Sequence, residues 1–348
     1  MSLIWRRISK LAVVAPLFFI AFSIHSFKHL PFPYLGNAYK RNIYNATLGF
    51  EGIAVVSTGW SWRSEGLLDA ANLTGLKVDI PNQPKWSTHE VNAFRGLDDT
   101  TGEKLGPGET QCWLGHINVW SHAVEHNWAT FLVLEDDVDW DVSIKQQLAL
   151  VAPAIRKITK STSYSTAQPY GNAWDLLWVG HCGDFIPPNA ISLRDESLPI
   201  DLNVKYREND GRFTVLTTEP QQRLVHMTAT PMCTYAYALT GDAARKLHLY
   251  SKNWAFKGVI TKDLAHWCQA GFLKCVTINP ELFHHHKKAG TLTSEIAIVE
   301  GWPSNVWNVD FTANIKHSAR CNSRSPTLVS CIDEFGDSEE SQFAKLST

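Results

Sequence analysis

Ten residues, Phe131-Leu132-Val133-Leu134-Glu135-Asp136-Asp137-Val138-Asp139-Trp140, constrain the fold of this chain more than any others. An apolar run bounded by polar residues reads as a strand buried on both faces, as in a parallel sheet. Four carboxylates then fall within five positions, starting where that strand ends. In open α/β sheets, ligands bind outside the carboxyl ends of the strands. Carboxylates crowded there repel one another and need something positive among them. A hard divalent cation with oxygen ligands, and a phosphate beyond it, is the natural partner. A generic run of acids is more often a solvated turn. Here the buried strand just before the acids, and Trp140 just after, shift the balance toward a binding site.

The flanking sequence extends the α/β pattern. Residues 52–57 read as a first buried strand, 63–76 as a helix closed by Gly75, and 77–80 as a second strand stopped by Pro81. This is a β-α-β opening. Residues 84–108 read as a polar loop and 109–128 as a helix leading into the organising strand. Further helices are expected over 142–157, 241–247 and 261–268, and further strands over 174–180, 233–240 and 274–278. Residues 187–220 show no sustained period and read as a loop inserted over the cleft. Residues 281–286 place three adjacent histidines, His284, His285 and His286, after the strand end at Asn279-Pro280. No GxGxxG and no P-loop is present, so neither a dinucleotide fold nor a P-loop kinase is supported.

The formal net charge of −2 gives no nucleic-acid surface. Seven cysteines without a CxxC argue against a zinc ribbon. In an oxidising compartment Cys268/Cys275 and Cys321/Cys331 are the first disulfide candidates, and the odd count leaves at least one thiol free or paired between chains. At the N-terminus Arg6, Arg7 and Lys10 precede an apolar run over 11–24, which is a signal peptide or a short signal anchor. Bulky residues and the lack of a small-x-small cleavage site favour a type II anchor, with the basic flank cytosolic. The expected organisation is a cytosolic tail over 1–10, an anchor over 11–27, a stem over 28–47, a catalytic domain over 48–335 and a polar tail over 336–348. The alternative is secretion after cleavage. The sequons at Asn45 and Asn72 agree with a secretory route.

The ordered set of motifs resembles glycosyltransferase family 25 in a divergent eukaryotic form. Glu109-Thr110-Gln111-Cys112-Trp113-Leu114-Gly115-His116 is similar to the family's acceptor-side helix, and Leu134-Glu135-Asp136-Asp137 to its acidic strand end. Tyr235-Ala236-Tyr237-Ala238-Leu239-Thr240 with Ala243, Ala244 and Leu247 resembles its tyrosine-bearing strand and following helix. Asp263-Leu264 and Asn279-Pro280-Glu281 resemble its later elements. Two positions depart. Ser57-Thr58-Gly59-Trp60-Ser61-Trp62-Arg63 replaces the usual Asn-Leu-Asp run, with Arg63 as the equivalent arginine, and Gly115 stands where serine is usual.

The resemblance implies a nucleotide-sugar-binding α/β fold of the GT-A type, with one central, mostly parallel sheet flanked by helices. It implies transfer of a hexose, often galactose from a uridine diphosphate donor, with inversion. On that footing Asp137 is a direct metal ligand and Asp139 the possible second, for Mn2+ or Mg2+. Glu135, Asp136 and Arg63 face the donor. Asp263 takes the acceptor's proton, a role resting on the family position; read alone, it is a helix cap. One of the three histidines, with His285 the nominee, completes the metal shell, or the stretch is a polar loop whose Lys287 and Lys288 meet phosphate. His181 and Asp184 line the sugar pocket or cap their strand. His116 and His122 read as satisfied buried histidines.

Three functions stay open at this point. The first is a transferase anchored in the Golgi or endoplasmic reticulum membrane, acting on a glycan or glycoprotein. The second is a secreted carbohydrate- or metal-binding protein on a transferase-derived fold. The third is a metal-assisted or carboxylate-pair hydrolase; a glycosidase pair requires carboxyls facing each other across a bond rather than clustered at one strand end.

Overall fold

The computed structural model describes residues 42–95, 104–162, 168–199, 205–207, 213–215, 221–253, 258–292, 294–296, 306 and 310–330. The expected cytosolic tail, the anchor and residues 28–41 of the stem lie outside these residues, as does the polar tail over 336–348. Among the described residues no helix is long and apolar enough to cross a membrane. Ile43, expected in the stem, is buried in the core.

A seven-stranded sheet organises the domain. Its strands are β1 (Gly52–Val56), β2 (Thr130–Glu135), β4 (Leu176–Gly180), β5 (Ile191–Arg194), β8 (Gln222–Met227), β9 (Ala236–Thr240) and β10 (Cys275–Asn279), in the spatial order β1-β2-β9-β4-β10-β8-β5. The pairs β1/β2 and β4/β10 are parallel. The other pairs are antiparallel, so only β9 and β8 run against the remaining strands. Strands β6 (Lys205–Arg207) and β7 (Phe213–Val215) form a separate hairpin.

The alternation of β2 divides the core. Leu132 and Leu134 join one buried cluster, with Leu67 and Ala70 of α1 (Trp62–Thr74) and Leu148 and Val151 of α4 (Ile144–Thr159). Phe131 and Val133 join the other, with Trp113 and Trp120 of α3 (Pro107–Glu125), Ala244 of α5 (Gly241–Asn253) and Leu264 of α6 (Ile260–Gln269). Helices therefore cover both faces, as the uninterrupted apolar run requires. Each of these β2 side chains is fully buried, which stabilises the fold by about 1.5–3 kcal/mol apiece before entropy is counted.

A second, three-stranded antiparallel sheet sits at the site end. It contains β3 (Val138–Trp140), β11 (Phe283–Lys287) and β12 (Phe311–Thr312), in the order β12-β11-β3. The three histidines lie on β11, not in a loop, with His284 opposite Asp139 and His285 opposite Val138. Three other expectations also change. Residues 77–80 pair with β1 only through an Asp79–Ala54 bridge. The expected loop over 84–108 contains α2 (Thr88–Phe94), capped by Ser87 with Glu90 reaching back. The inserted loop over 187–220 contains β5, β6 and β7.

Cys268–Cys275 is a disulfide, as expected, and Cys182–Cys233 is a second one, with Cα atoms 5.5 Å apart. Cys321 is also disulfide-bonded, with its partner outside the described residues, and Cys112 is a free thiol.

Candidate active site

Strand β2 delivers Glu135 at its carboxyl end. The chain turns through Asp136 and Asp137 and re-enters pairing at β3. Arg63 reaches the turn from the first turn of α1, whose start is fixed by a Ser61 cap accepting from the Arg63 N–H (3.2 Å). The Arg63 Nη1 donates to Asp137 Oδ2 (2.7 Å) and lies 3.7 Å from Asp136 Oδ1. The structure thus brings Arg63 to the turn that carries Asp136 and Asp137, beside Glu135. Their positive partner is, in part, this guanidinium.

The three acids have different surroundings. Glu135 Oε1 accepts from Thr234 Oγ1 (2.7 Å) and lies 3.7 Å from His116 Nε2. Burial opposes its charge, but His116, Thr234 and Arg63 outweigh burial and hold the carboxyl below the ordinary glutamate range. Asp136 Oδ2 accepts from Ser57 Oγ (2.7 Å). Burial, and then the neighbouring Asp137 charge, push Asp136 up to about 7 against the pull of Ser57 and Arg63. Burial also raises Asp137, opposed by Arg63, with Glu135 adding to the rise and Lys287 and Arg320 resisting it.

Asp139 departs from expectation. It is fully buried. Its Oδ2 accepts from Thr312 Oγ1 (2.8 Å) and from Ser318 Oγ. Its Oδ1 accepts from the N–H groups of Trp140 (2.8 Å) and Arg320 (3.1 Å). Both oxygens are taken up in tying β3 to the C-terminal segment.

Asp137 does fit a cation. Its Oδ1 is buried and has no hydrogen-bond partner. Small divalent ions are commonly held by one or two carboxylates plus substrate phosphates, not by an all-protein cage. Accordingly no three His, Cys, Asp or Glu side chains form a ready-made metal group among the described residues. His285 lies on β11, with Nε2 3.4 Å from the Tyr235 hydroxyl and Nδ1 3.0 Å from Lys287 Nζ. Burial, with Lys287 and His284 beside it, holds its ring well below the usual histidine range. The ring is therefore neutral, the form that ligates metal. His284 Nδ1 pairs with buried Glu281 (2.5 Å), and His286 Nδ1 with Thr312 Oγ1 (2.8 Å).

Asp263 sits in the first turn of α6, where its Oδ1 accepts from the Gly258 N–H (3.1 Å). The Gly258 carbonyl accepts from Trp113 Nε1 (3.0 Å), so Asp263 is tied to α3, one turn from His116. His181 and Asp184 are both buried. Asp184 accepts from the N–H groups of Ala229 (3.2 Å) and Thr230 (2.6 Å) and from Thr277 Oγ1 (2.8 Å), which makes it a clamp between loops. His122 is half-buried and pairs with Asp79 (2.8 Å). Gly115 has a packing reason: a Cβ there would come 3.0 Å from Val56 Cγ1. Asn72 is exposed on α1, and Asn45 Oδ1 accepts from the Thr47 N–H (2.9 Å) in a turn.

Ser57, Thr234 and Arg320 escaped the sequence reading. Ser57 and Thr234 each adjoin a strand end, the position where polar residues meet ligands; Arg320 has no local signature.

A family description, Glycosyltransferase family 25 (LPS biosynthesis protein), matches residues 78–264, more than half of the chain. The chain belongs to that family. It is also similar to Procollagen galactosyltransferase 1 of Danio rerio, 29% identical over 83 residues, which cover 24% of this chain and 12% of that protein. The matched stretch is thus a small part of that relative's length.

Proposed function

We propose that the chain is an inverting hexosyltransferase that moves galactose from uridine diphosphate galactose to a hydroxyl of a glycan or glycoprotein, in the lumen of the Golgi or endoplasmic reticulum. The observation that carries this reading is the state of Asp137: one oxygen held by Arg63, the other buried and open. Family membership and the similarity to a galactosyltransferase support it.

In this reading Arg63 and Lys287 supply fixed positive charge where the diphosphate leaves, the kind of preorganised electrostatics that lowers a barrier most. Glu135 and Asp136 hold hydroxyls of the ribose or sugar. Asp137 Oδ1 and His285 are the groups that would hold Mn2+ or Mg2+, whose chemistry here is Lewis-acid neutralisation of the diphosphate. Asp263 accepts the acceptor hydroxyl's proton as its oxygen bonds to the anomeric carbon and the sugar–phosphate bond breaks.

The test offers the full chain a panel of nucleotide sugars with Mn2+ and counts released nucleotide. Turnover of uridine diphosphate galactose is expected. Asp263→Asn should lower it by about 10²–10⁴-fold with nucleotide binding unchanged, since the amide oxygen can still accept from Gly258. Release from no nucleotide sugar, or wild-type turnover in Asp263→Asn, contradicts the reading.

A further inference from the structure

The family match ends at residue 264, yet the acidic turn is held from behind by residues that come later. Arg320 lies on α7 (Ala319–Asn322) and is buried. Its Nε donates to the Val138 carbonyl (2.7 Å). Its Nη2 donates to the carbonyls of Asp136 (2.6 Å) and Arg63 (3.0 Å). Its backbone N–H donates to Asp139 Oδ1 (3.1 Å). One guanidinium thus joins the turn that carries Asp136 and Asp137 to the helix that carries Arg63. A planar fork of several donors can span such a set, whereas a lysine ammonium is a point.

A second feature is local to α1. A Cβ added at Gly66 would come 2.5 Å from Arg320 Nη1. Gly66 therefore leaves the space in which the guanidinium lies against the helix.

The geometry points to Arg320 as a positioning residue that fixes the Asp136–Asp137 turn against Arg63, so that the working site extends through the C-terminal segment to α7. A buried charge is a poor device for stability alone, because apolar packing does as well or better. Two of the three backbone carbonyls served here belong to Asp136 and Arg63, residues of the site itself. The ligand this positioning serves is the diphosphate of the transferase reading, on which the inference rests; the clamp itself is tested separately below.

Binding of uridine diphosphate with Mn2+ to the full chain is measured by calorimetry for the wild type, Gly66→Ala, Arg320→Lys and the surface control Arg324→Ala. Amide exchange is followed in the same proteins. Loss of a group that orients a ligand typically weakens affinity by about ten- to hundredfold. That rise in dissociation constant is expected in Gly66→Ala and Arg320→Lys and absent in Arg324→Ala. Amides over 135–140 should exchange faster in the first two while those of β4 keep their protection. Gly66→Ala is the sharper variant, because helix propensity alone favours alanine and Arg320 itself is untouched; it also carries the test if Arg320→Lys fails to fold. Wild-type affinity and exchange in Gly66→Ala overturn the inference, as does a uniform rise in exchange across the sheet. If the wild type binds no nucleotide, the transferase reading falls and the exchange pattern alone decides on the clamp.

Discussion

Asp137 and Asp139 stand two residues apart and face opposite demands. Asp137 shares one oxygen with Arg63 and leaves the other buried and open. Asp139 accepts from four donors that belong to β3, β12 and the segment around α7. The first is a carboxylate that burial works against; the second is a fully satisfied anchor. An Asp-x-Asp spacing thus need not make a pair of ligands. Where the chain passes from turn to strand, neighbouring carboxylates can face different partners, and hydrogen-bond satisfaction, not spacing, separates a binding group from a structural one.

The comparison breaks most visibly at Asp139. Asp139→Ala removes the acceptor of four buried donors and the charge beside Arg320. It should destabilise the fold by about 3–5 kcal/mol, measured by urea unfolding; a loss under about 1 kcal/mol would mean that the anchor role is wrong. Asp137→Asn should do the reverse. It should cost less stability than Asp139→Ala, because the amide oxygen can still accept from Arg63 and the substitution removes a charge that burial opposes. Turnover of the nucleotide sugar should fall by about a hundredfold or more.

A pH series sharpens the contrast further. Asp136 is held at about 7 in the folded chain, against about 3.9 when unfolded. The folded state therefore binds the proton more tightly. The destabilisation from this group is full above pH 7 and fades as pH falls toward 4. The melting temperature of the metal-free wild type, relative to Asp136→Asn, should rise as pH is lowered from about 8 to about 5. A difference independent of pH would contradict this. The smallest effect belongs to Asn72, exposed on α1. Asn72→Gln should change stability by no more than about 0.5 kcal/mol while removing one glycan's mass from secreted or lumenal material; an unchanged mass would show that the sequon is not used.

Much of this arrangement was legible in the sequence. The apolar run over 131–134 dictated a strand buried on both faces, with the acids gathered where that strand gives way to a turn. Gly75 closes α1 in the left-handed conformation (φ 62°), as its place after the helical period indicated. The misses share one cause, pairing between residues distant in sequence. The strand over 283–287 was out of sight because its partners, Val138–Trp140 and Phe311–Thr312, are far away along the chain. The structural ties of Asp139 were out of sight for the same reason, since Thr312, Ser318 and Arg320 are not local to it. By contrast α2 was within reach, because Ser87 followed by Glu90 is a capping box. Residues 77–80 keep an extended run, but only Asp79 pairs with β1.

The most direct measurement is thermal unfolding of the full chain with Mn2+, with and without uridine diphosphate. A ligand that binds only the folded state raises the melting temperature by mass action, by several degrees at about a hundredfold excess over its dissociation constant. The account predicts a rise that needs both Mn2+ and the nucleotide and that disappears in Asp137→Asn. A rise of the same size in Asp137→Asn, or none in the wild type with both present, would contradict the claim that the open oxygen of Asp137 is the centre of the site.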